Sequence, residues 1–185
     1  METISKGRQR RRPMRRKTVF ITGGARSGKS RFALEEASRV SGRKAFIATA
    51  EASDDEMRER IKRHKQDRGR GWKTYEEPFK IADVLGEIEG HYGVIVIDCL
   101  TLWLANVMQS DLDVDVEIER LMLALAGISL PSVFIVSNEV GMGIVPENDL
   151  ARRFRDLAGR LNQRVAAAAS EVYVTLSGIP LKIKG

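Results

Sequence analysis

Eight residues near the start of the chain have the types and spacing for chemistry on phosphate: Gly23-Gly24-Ala25-Arg26-Ser27-Gly28-Lys29-Ser30. A glycine, four residues and then Gly-Lys-Ser is the spacing at which backbone N–H groups curl round a phosphate chain. The lysine then meets the outer phosphates and the serine hydroxyl meets Mg²⁺. The apolar run Val19-Phe20-Ile21-Thr22 leads into the loop, and Ser30 to Ala37 follows with the apolar spacing of a helix. A helix starting there turns its partly positive N-terminus toward the anion. The pattern predicts a nucleoside triphosphate site.

Three further stretches carry candidate chemistry. Asp98 ends the run Val94-Ile95-Val96-Ile97, the carboxyl end of a buried strand, where a second magnesium ligand beside Ser30 belongs; the plain alternative is a cap on the following turn. His64 lies on a stretch that Ser53 and Glu56 open as a capping box, with Met57 and Ile61 on its apolar stripe. Arg60, Lys62, Arg63, Lys65 and Arg68 surround it. In such company a ring nitrogen can act as a nucleophile while the cations hold phosphate oxygens, although an ordinary surface histidine in a basic helix fits the same residues. His91, between Gly90 and Tyr92, reads as a turn residue. The segment from Ser137 to Asn148 is a strand end followed by a glycine-punctuated loop, either functional or a plain connection into the next helix.

These residues need a frame that brings strand ends together. Apolar runs at 18–22, 45–49, 94–98, 133–137 and 172–176 lack polar alternation, as strands buried on both faces do. Helical spacing falls between them, at about 30–40, 54–67, 79–89, 114–127 and 148–169. The class expected is α/β: a P-loop NTPase-like, doubly wound, mostly parallel sheet with helices on both faces. Residues 69–78, broken by Gly69, Gly71 and Pro78, read as a loop or short edge strand. The 185 residues suit one catalytic domain, 18–185, behind a tail, 1–17.

The net charge of +6 sits in that tail: residues 1–17 hold eight Lys/Arg and one acid, leaving 23 bases against 24 acids in the body. A neutral body with a basic arm is a poor reader of nucleic acid, so no nucleic-acid partner is expected and the tail reads as a disordered, solvated segment. Met14 is an alternative start. No apolar run approaches the ~20 residues of a membrane span, and the basic start lacks the apolar core of a secretory signal. The single cysteine, Cys99, fits a reducing cytoplasm.

The chain resembles a family, the bifunctional adenosylcobinamide kinase/adenosylcobinamide-phosphate guanylyltransferases of cobalamin biosynthesis. The likeness runs over about residues 18–184. Beyond the P-loop it is carried by Ile47-Ala48-Thr49-Ala50, by Asp54-Asp55-Glu56-Met57 with Arg60-Ile61 and His64, and by Trp72-Lys73-Thr74 with Glu76-Glu77-Pro78. Asp98-Cys99-Leu100-Thr101, Asn138 to Pro146 and Arg160-Leu161-Asn162-Gln163-Arg164 complete it.

The resemblance implies a homotrimer, a covalent GMP on His64, and GTP and ATP as substrates with Mg²⁺. It implies nucleotide contacts at Gly23 through Ser30, at Ala48, Thr49 and Ala50, at Lys65, Gln66, Asp67 and Arg68, and at Glu76 and Asp98. The partner is a small-molecule corrinoid, adenosylcobinamide and then its phosphate. Family members often have Arg-Pro where this chain has Arg68-Gly69, a departure expected to loosen the loop beside the guanylyl site. Two other readings share parts of the pattern. A monofunctional P-loop small-molecule kinase needs no His64, and a nucleic-acid-associated ATPase or regulatory GTPase would use the basic arm but would lack explanation for the absent Asn-Lys-x-Asp guanine signature.

Overall fold

The computed structural model describes residues 17–52, 55–69, 71–129 and 132–185. Ser53 of the expected capping box lies outside them, as do residues 1–16 of the tail and the side chains of Glu56, Met57, Arg60 and Asp67. The chain alternates strand and helix: β1 (Thr18–Gly23), α1 (Lys29–Ser38), β2 (Lys44–Ala48), α2 (Asp55–Arg68), β3 (Trp72–Glu76), α3 (Ile81–Ile88) and β4 (Val94–Asp98). Then come α4 (Leu100–Met108), α5 (Val114–Gly127), β5 (Ser132–Val136), α6 (Asp149–Ala168), β6 (Glu171–Leu176) and β7 (Ile179–Lys184).

The strands form one sheet in the order β3-β2-β4-β5-β1-β6-β7, parallel throughout except for the β6–β7 pair. The expected parallel, doubly wound sheet is therefore present. Successive residues on each strand face opposite sides, so each strand feeds two cores. Phe20, Ile47, Ile95, Ile97, Val133 and Ile135 join α3, α4, α5 and α6 on one face. Val19, Ile21, Phe46, Val94, Val96, Phe134 and Val136 join α1 on the other. Trp103 of α4 is completely buried and its indole N–H donates to the Phe79 carbonyl at 2.5 Å, so this large side chain is both packed and satisfied.

Residues 72–76 form the short edge strand that is one of the two expectations for 69–78, paired with β2 from Lys44↔Trp72 to Ala48↔Glu76. Three features depart from the sequence reading. Residues 100–108, to which the sequence pattern assigns no element, are a helix: the run is so evenly apolar that no polar face marks its period, and it is buried almost all round. The strand β7 went unread although Ser177-Gly178, with φ of 50° and 85°, is the two-residue turn that closes such hairpins. Lys17, counted with the tail, belongs to the body: its carbonyl accepts from Val133 N–H at 2.9 Å and its ammonium lies 3.4 Å from Glu171.

Gly93 illustrates how tightly the non-functional edge is packed. It enters β4 with its N–H on the Arg43 carbonyl at 2.9 Å, and a Cβ there would run into the Ser41 carbonyl oxygen. Backbone cannot swing aside as a side chain can. Gly93→Ala is expected to destabilise the protein by about 1–3 kcal/mol, read as a lower urea midpoint with an unchanged slope.

Candidate active site

The P-loop is shaped by its glycines. Gly23 has φ of +146° and a Cβ there would strike the Thr175 carbonyl on β6, so only glycine lets β1 pass that close. Gly28, at φ +94°, caps α1 without a side-chain hydrogen bond, which leaves the first amides of the helix facing the cavity. Lys29 is buried, and its Nζ donates to the carbonyl oxygens of Gly23 at 3.0 Å and Gly24 at 2.6 Å. The ammonium thus already spans the loop it serves. Ser27 Oγ meets Thr175 Oγ1 at 2.8 Å and the Ser27 carbonyl accepts from Gly178 N–H at 3.0 Å, so the β6–β7 hairpin buttresses the loop from behind.

The neighbouring strand ends converge because the sheet is parallel and in register. Asp98 pairs with Ala48 on one side and Val136 on the other, and Val136 pairs with Ile21. Thr49 is fully buried just past β2; its hydroxyl donates to the Cys99 carbonyl at 2.8 Å and accepts from the Cys99 N–H at 2.8 Å. This closed pair of bonds holds the turn that follows Asp98. Cys99 is buried, and that desolvation, with Asp98 beside it, pushes its thiol up to about 11. It remains a neutral thiol, suited to packing and not to nucleophilic work.

Three adjoining depressions share these walls. The first, about 490 Å³, is lined by the P-loop from Arg26 to Arg31, by Glu59, Arg63 and His64 of α2, and by Asp98, Cys99, Leu102, Val136 and Asn138. A small apolar one of about 60 Å³ shares Ser30, His64, Asp98, Cys99 and Leu102 with it and adds Phe46, Ala48, Ala50, Ile61 and Arg68. The third, about 670 Å³, shares Ala48, Ala50 and Ile61 with the second and carries Arg58, Lys62, Lys65, Gln66 and Glu76. His64 stands where the first two meet. Shared lining residues join the first depression to the second and the second to the third.

The structure brings together most of the expected site residues. Arg26, Ser27, Gly28, Lys29, Ser30, His64 and Asp98 share the first depression, and Ala48, Ala50, Lys65, Gln66 and Glu76 line the third. Lys65 and Glu76 form an ion pair across it. Gly23 and Gly24 contribute carbonyls to Lys29, and Ala25 is exposed at the loop's tip. Thr49 lines none of the three and acts through Cys99. Arg68 is buried, its guanidinium 3.9 Å from the centre of the Phe46 ring, so its planar head serves as part of the wall. Gly69, at φ +68°, ends α2 with its N–H on the Gln66 carbonyl at 3.1 Å. Proline there would have removed that donor.

Residues 19–183 match the family described as cobinamide kinase / cobinamide phosphate guanyltransferase. The chain belongs to that family. The bifunctional adenosylcobalamin biosynthesis protein CobU of Escherichia coli K12 is 40% identical over 90% of this chain and 99% of its own length. CobP of Pseudomonas aeruginosa PAO1, of the same bifunctional description, is 41% identical over 90% of this chain and 96% of its own. As a member of the family this chain is a bifunctional enzyme that uses a nucleoside triphosphate on a small-molecule substrate. Among solved structures, an ATPase of a bacterial type III secretion system resembles it with a TM-score of 0.51 at 11% identity, over 85% of this chain and 50% of that one. A Pyrococcus horikoshii OT3 protein does so with a TM-score of 0.52 at 7% identity, over 93% and 88%. These two likenesses are of fold. No described helix is long and apolar enough to cross a membrane.

Ser30 and Asp98 offer a hydroxyl and a carboxylate to one cavity, while no group of three or more His, Cys, Asp or Glu that could cage a metal occurs among the described residues. That donor set fits Mg²⁺, which binds few protein oxygens and keeps water and phosphate for the rest. Sequence reasoning named Thr101 and Asn162 only within motifs and gave them no role; their side chains hold Asn138, and nothing in their local pattern reveals a partner more than twenty residues away. The Thr49–Cys99 pair makes a sharp test. Thr49→Val keeps the shape but strands two buried backbone groups, at about 1–3 kcal/mol each. The variant should melt well below Thr49→Ser in a thermal scan and lose activity with the displaced Asp98.

Proposed function

We propose that the chain phosphorylates the free hydroxyl of adenosylcobinamide from a nucleoside triphosphate and then transfers GMP from GTP to the new phosphate through a covalent guanylyl group on His64. The observation that carries this reading is the position of His64, which lines the P-loop cavity and the small apolar depression leading to Lys65, Gln66 and Glu76.

In the kinase half, the N-terminal amides of α1 and the P-loop N–H groups hold the phosphates. Lys29 exchanges its carbonyl partners for phosphate oxygens and spreads the charge that builds on the transferred group. Ser30 and Asp98 would hold Mg²⁺, which when bound neutralises phosphate charge. Transfer breaks the bond between the γ-phosphorus and its bridging oxygen as the acceptor hydroxyl forms a new one and gives up its proton.

In the guanylyl half, a ring nitrogen of His64 attacks the α-phosphorus of GTP, and the bond to the bridging oxygen of pyrophosphate breaks. The resulting phosphoramidate is attacked by a phosphate oxygen of the acceptor, the phosphorus–nitrogen bond breaks, and the imidazole is regenerated. Splitting one displacement into two lets the same site activate the nucleotide before the large acceptor arrives. Arg63, next to His64, lines the same cavity and is suited to the charge on the departing pyrophosphate.

The reading extends to assembly and setting. A homotrimer in the cytoplasm suits an enzyme of this family, and the exposed side chains of Ile179, Leu181 and Ile183, alternating along β7, support an assembly contact on that edge. Residues 18–185, with Lys17 joined to them, would act as one catalytic domain, with the basic segment before Lys17 dispensable for both reactions.

Two variants test the division of labour. Lys29→Ala should keep the wild-type melting temperature and lose both activities by about a hundredfold or more, since the ammonium serves phosphates and not the core. For His64→Asn, incubation with GTP and Mg²⁺ followed by intact-mass measurement should show no GMP adduct, while phosphorylation of the acceptor continues at a measurable rate. An adduct that persists in His64→Asn would move the nucleophile elsewhere. Loss of adduct and kinase activity together, in a protein that melts normally, would make His64 a nucleotide-binding residue only.

A further inference from the structure

The ladder between β1 and β5 does not stop where β5 ends. Val133 N–H donates to the Lys17 carbonyl at 2.9 Å, and the same bond recurs past the strand, from Ser137 to Ile21 at 3.0 Å and from Glu139 to Gly23 at 2.9 Å. Continued pairing keeps the alternation of side chains. Ser137 accordingly turns to the α4 side, where its Oγ meets Thr101 Oγ1 at 3.1 Å. Asn138 turns the other way, to the face that Phe134 and Val136 share with α1. Asp98, two residues after Val96, is on that face too and pairs with Val136. The side chains of Asp98 and Asn138 thus stand on adjacent strand ends, and both line the P-loop cavity with Lys29 and Ser30.

The main chain of Asn138 is held at three points. Its N–H donates to Thr101 Oγ1 at 2.6 Å, its carbonyl accepts from Asn162 Nδ2 at 3.0 Å, and the next N–H along the chain is the one on Gly23. The Gly23 carbonyl also accepts from Lys29 Nζ at 3.0 Å, so Asn138 stands one peptide away from the group that holds the ammonium. Its carboxamide, by contrast, has no hydrogen-bond partner among the described residues. A fixed backbone that carries an uncommitted donor into a cavity is preorganised: the group is ordered in folding and needs no reorganisation when charge develops. The P-loop amides and the start of α1 wrap the inner phosphates, and Lys29 reaches the outer ones. Beyond Lys29 the cavity is bounded by the ends of β4 and β5, where Asp98 and Asn138 stand.

We propose, resting on the kinase reading, that Asn138 is a further catalytic residue of the phosphoryl transfer, its Nδ2–H donating to an oxygen of the γ-phosphoryl group. In that step the acceptor oxygen bonds to the γ-phosphorus and releases its proton, and the bond to the bridging oxygen breaks to leave a nucleoside diphosphate. Asn138 gains and loses no proton; it keeps the transferred group in line between the departing and arriving oxygens. A neutral amide suits this place. Arg26, Lys29, Arg31 and Arg63 already bring positive charge to the cavity, and one more cation would grip the departing diphosphate as well as the group in transfer. An amide adds direction without charge.

The test compares two nucleotides on the full chain with Mg²⁺: ADP, and an ATP analogue whose β–γ bridge is a methylene group. Asn138→Ala should bind ADP within about twofold of the wild-type affinity but hold the analogue on the order of tenfold less tightly, the loss expected for one hydrogen bond to a charged group. Asn138→Asp, of the same shape, sets a carboxylate against the γ-phosphate and should lose more. The three bonds that fix this segment are made by main-chain atoms of residues 138 and 139, so both variants should melt as the wild type does. With ATP and cobinamide, kcat should fall by about a hundredfold in Asn138→Ala while the KM for cobinamide stays near its wild-type value. Equal losses for ADP and the analogue would make Asn138 a support of the P-loop's shape and overturn the proposal. It is overturned as well if both variants bind the analogue as the wild type does. Binding is read with no corrinoid present, so this result is independent of whether the wild-type chain phosphorylates cobinamide, which tests the kinase reading alone.

Discussion

A parallel sheet in strict register is the constraint on which the rest depends. When neighbouring strands run the same way, their carboxyl ends fall on one edge, and every loop that leaves that edge must share the same space. Here Ile21, Asp98 and Val136 stand side by side, with Ala48 and Glu76 continuing the row. The P-loop, the acid after β4, the Thr49 latch and the Asn138 loop are therefore neighbours although they are spread along the chain from Gly23 to Asn138. No side-chain contact had to be invented to assemble them. Backbone pairing did it.

Around that row, threonine hydroxyls and loop carbonyls pair with groups that burial would otherwise penalise. The hydroxyl of Thr49 satisfies both backbone groups of Cys99, and the Thr101 hydroxyl accepts from Asn138 N–H and meets Ser137 Oγ at 3.1 Å. Two threonines on different elements thus fix the two turns that flank the cavity. Buried backbone groups left unpaired cost more than any single contact returns, so these hydroxyls determine loop geometry. Lys29 follows the same logic: a buried ammonium would be prohibitive without the carbonyls of Gly23 and Gly24. The ligand it binds can replace those partners without a period of bare charge.

The helix α2 divides this site unequally. Its described side chains reach the body through Ile61, His64 and the buried Arg68, which lies on the Phe46 ring. The remaining described positions carry charge, Gln66 apart, and are exposed. Such a helix is held by a few contacts and a glycine stop, so its placement owes more to the wall it leans on than to its own propensity. That is the element that presents the imidazole.

By itself the sequence determined the P-loop, the alternation of strand and helix, the buried parallel sheet and the acid that ends β4. Each is a local pattern: fixed spacing, uninterrupted β-branched runs, a helix period after glycine. Family membership was legible for the same reason, since its motifs are short strings read in order. What only the tertiary structure decided were matters of juxtaposition. That α4 is a helix depended on burial on all sides, which erases the period by which helices are recognised. Thr49 turned out to hold a backbone turn, and Arg68 to pack on a ring, because a side chain's duty is set by what the fold brings against it. The same holds for His64. Its neighbours in sequence describe only a basic helix, and it becomes a candidate nucleophile where α2 crosses the row of strand ends, at the junction of two depressions.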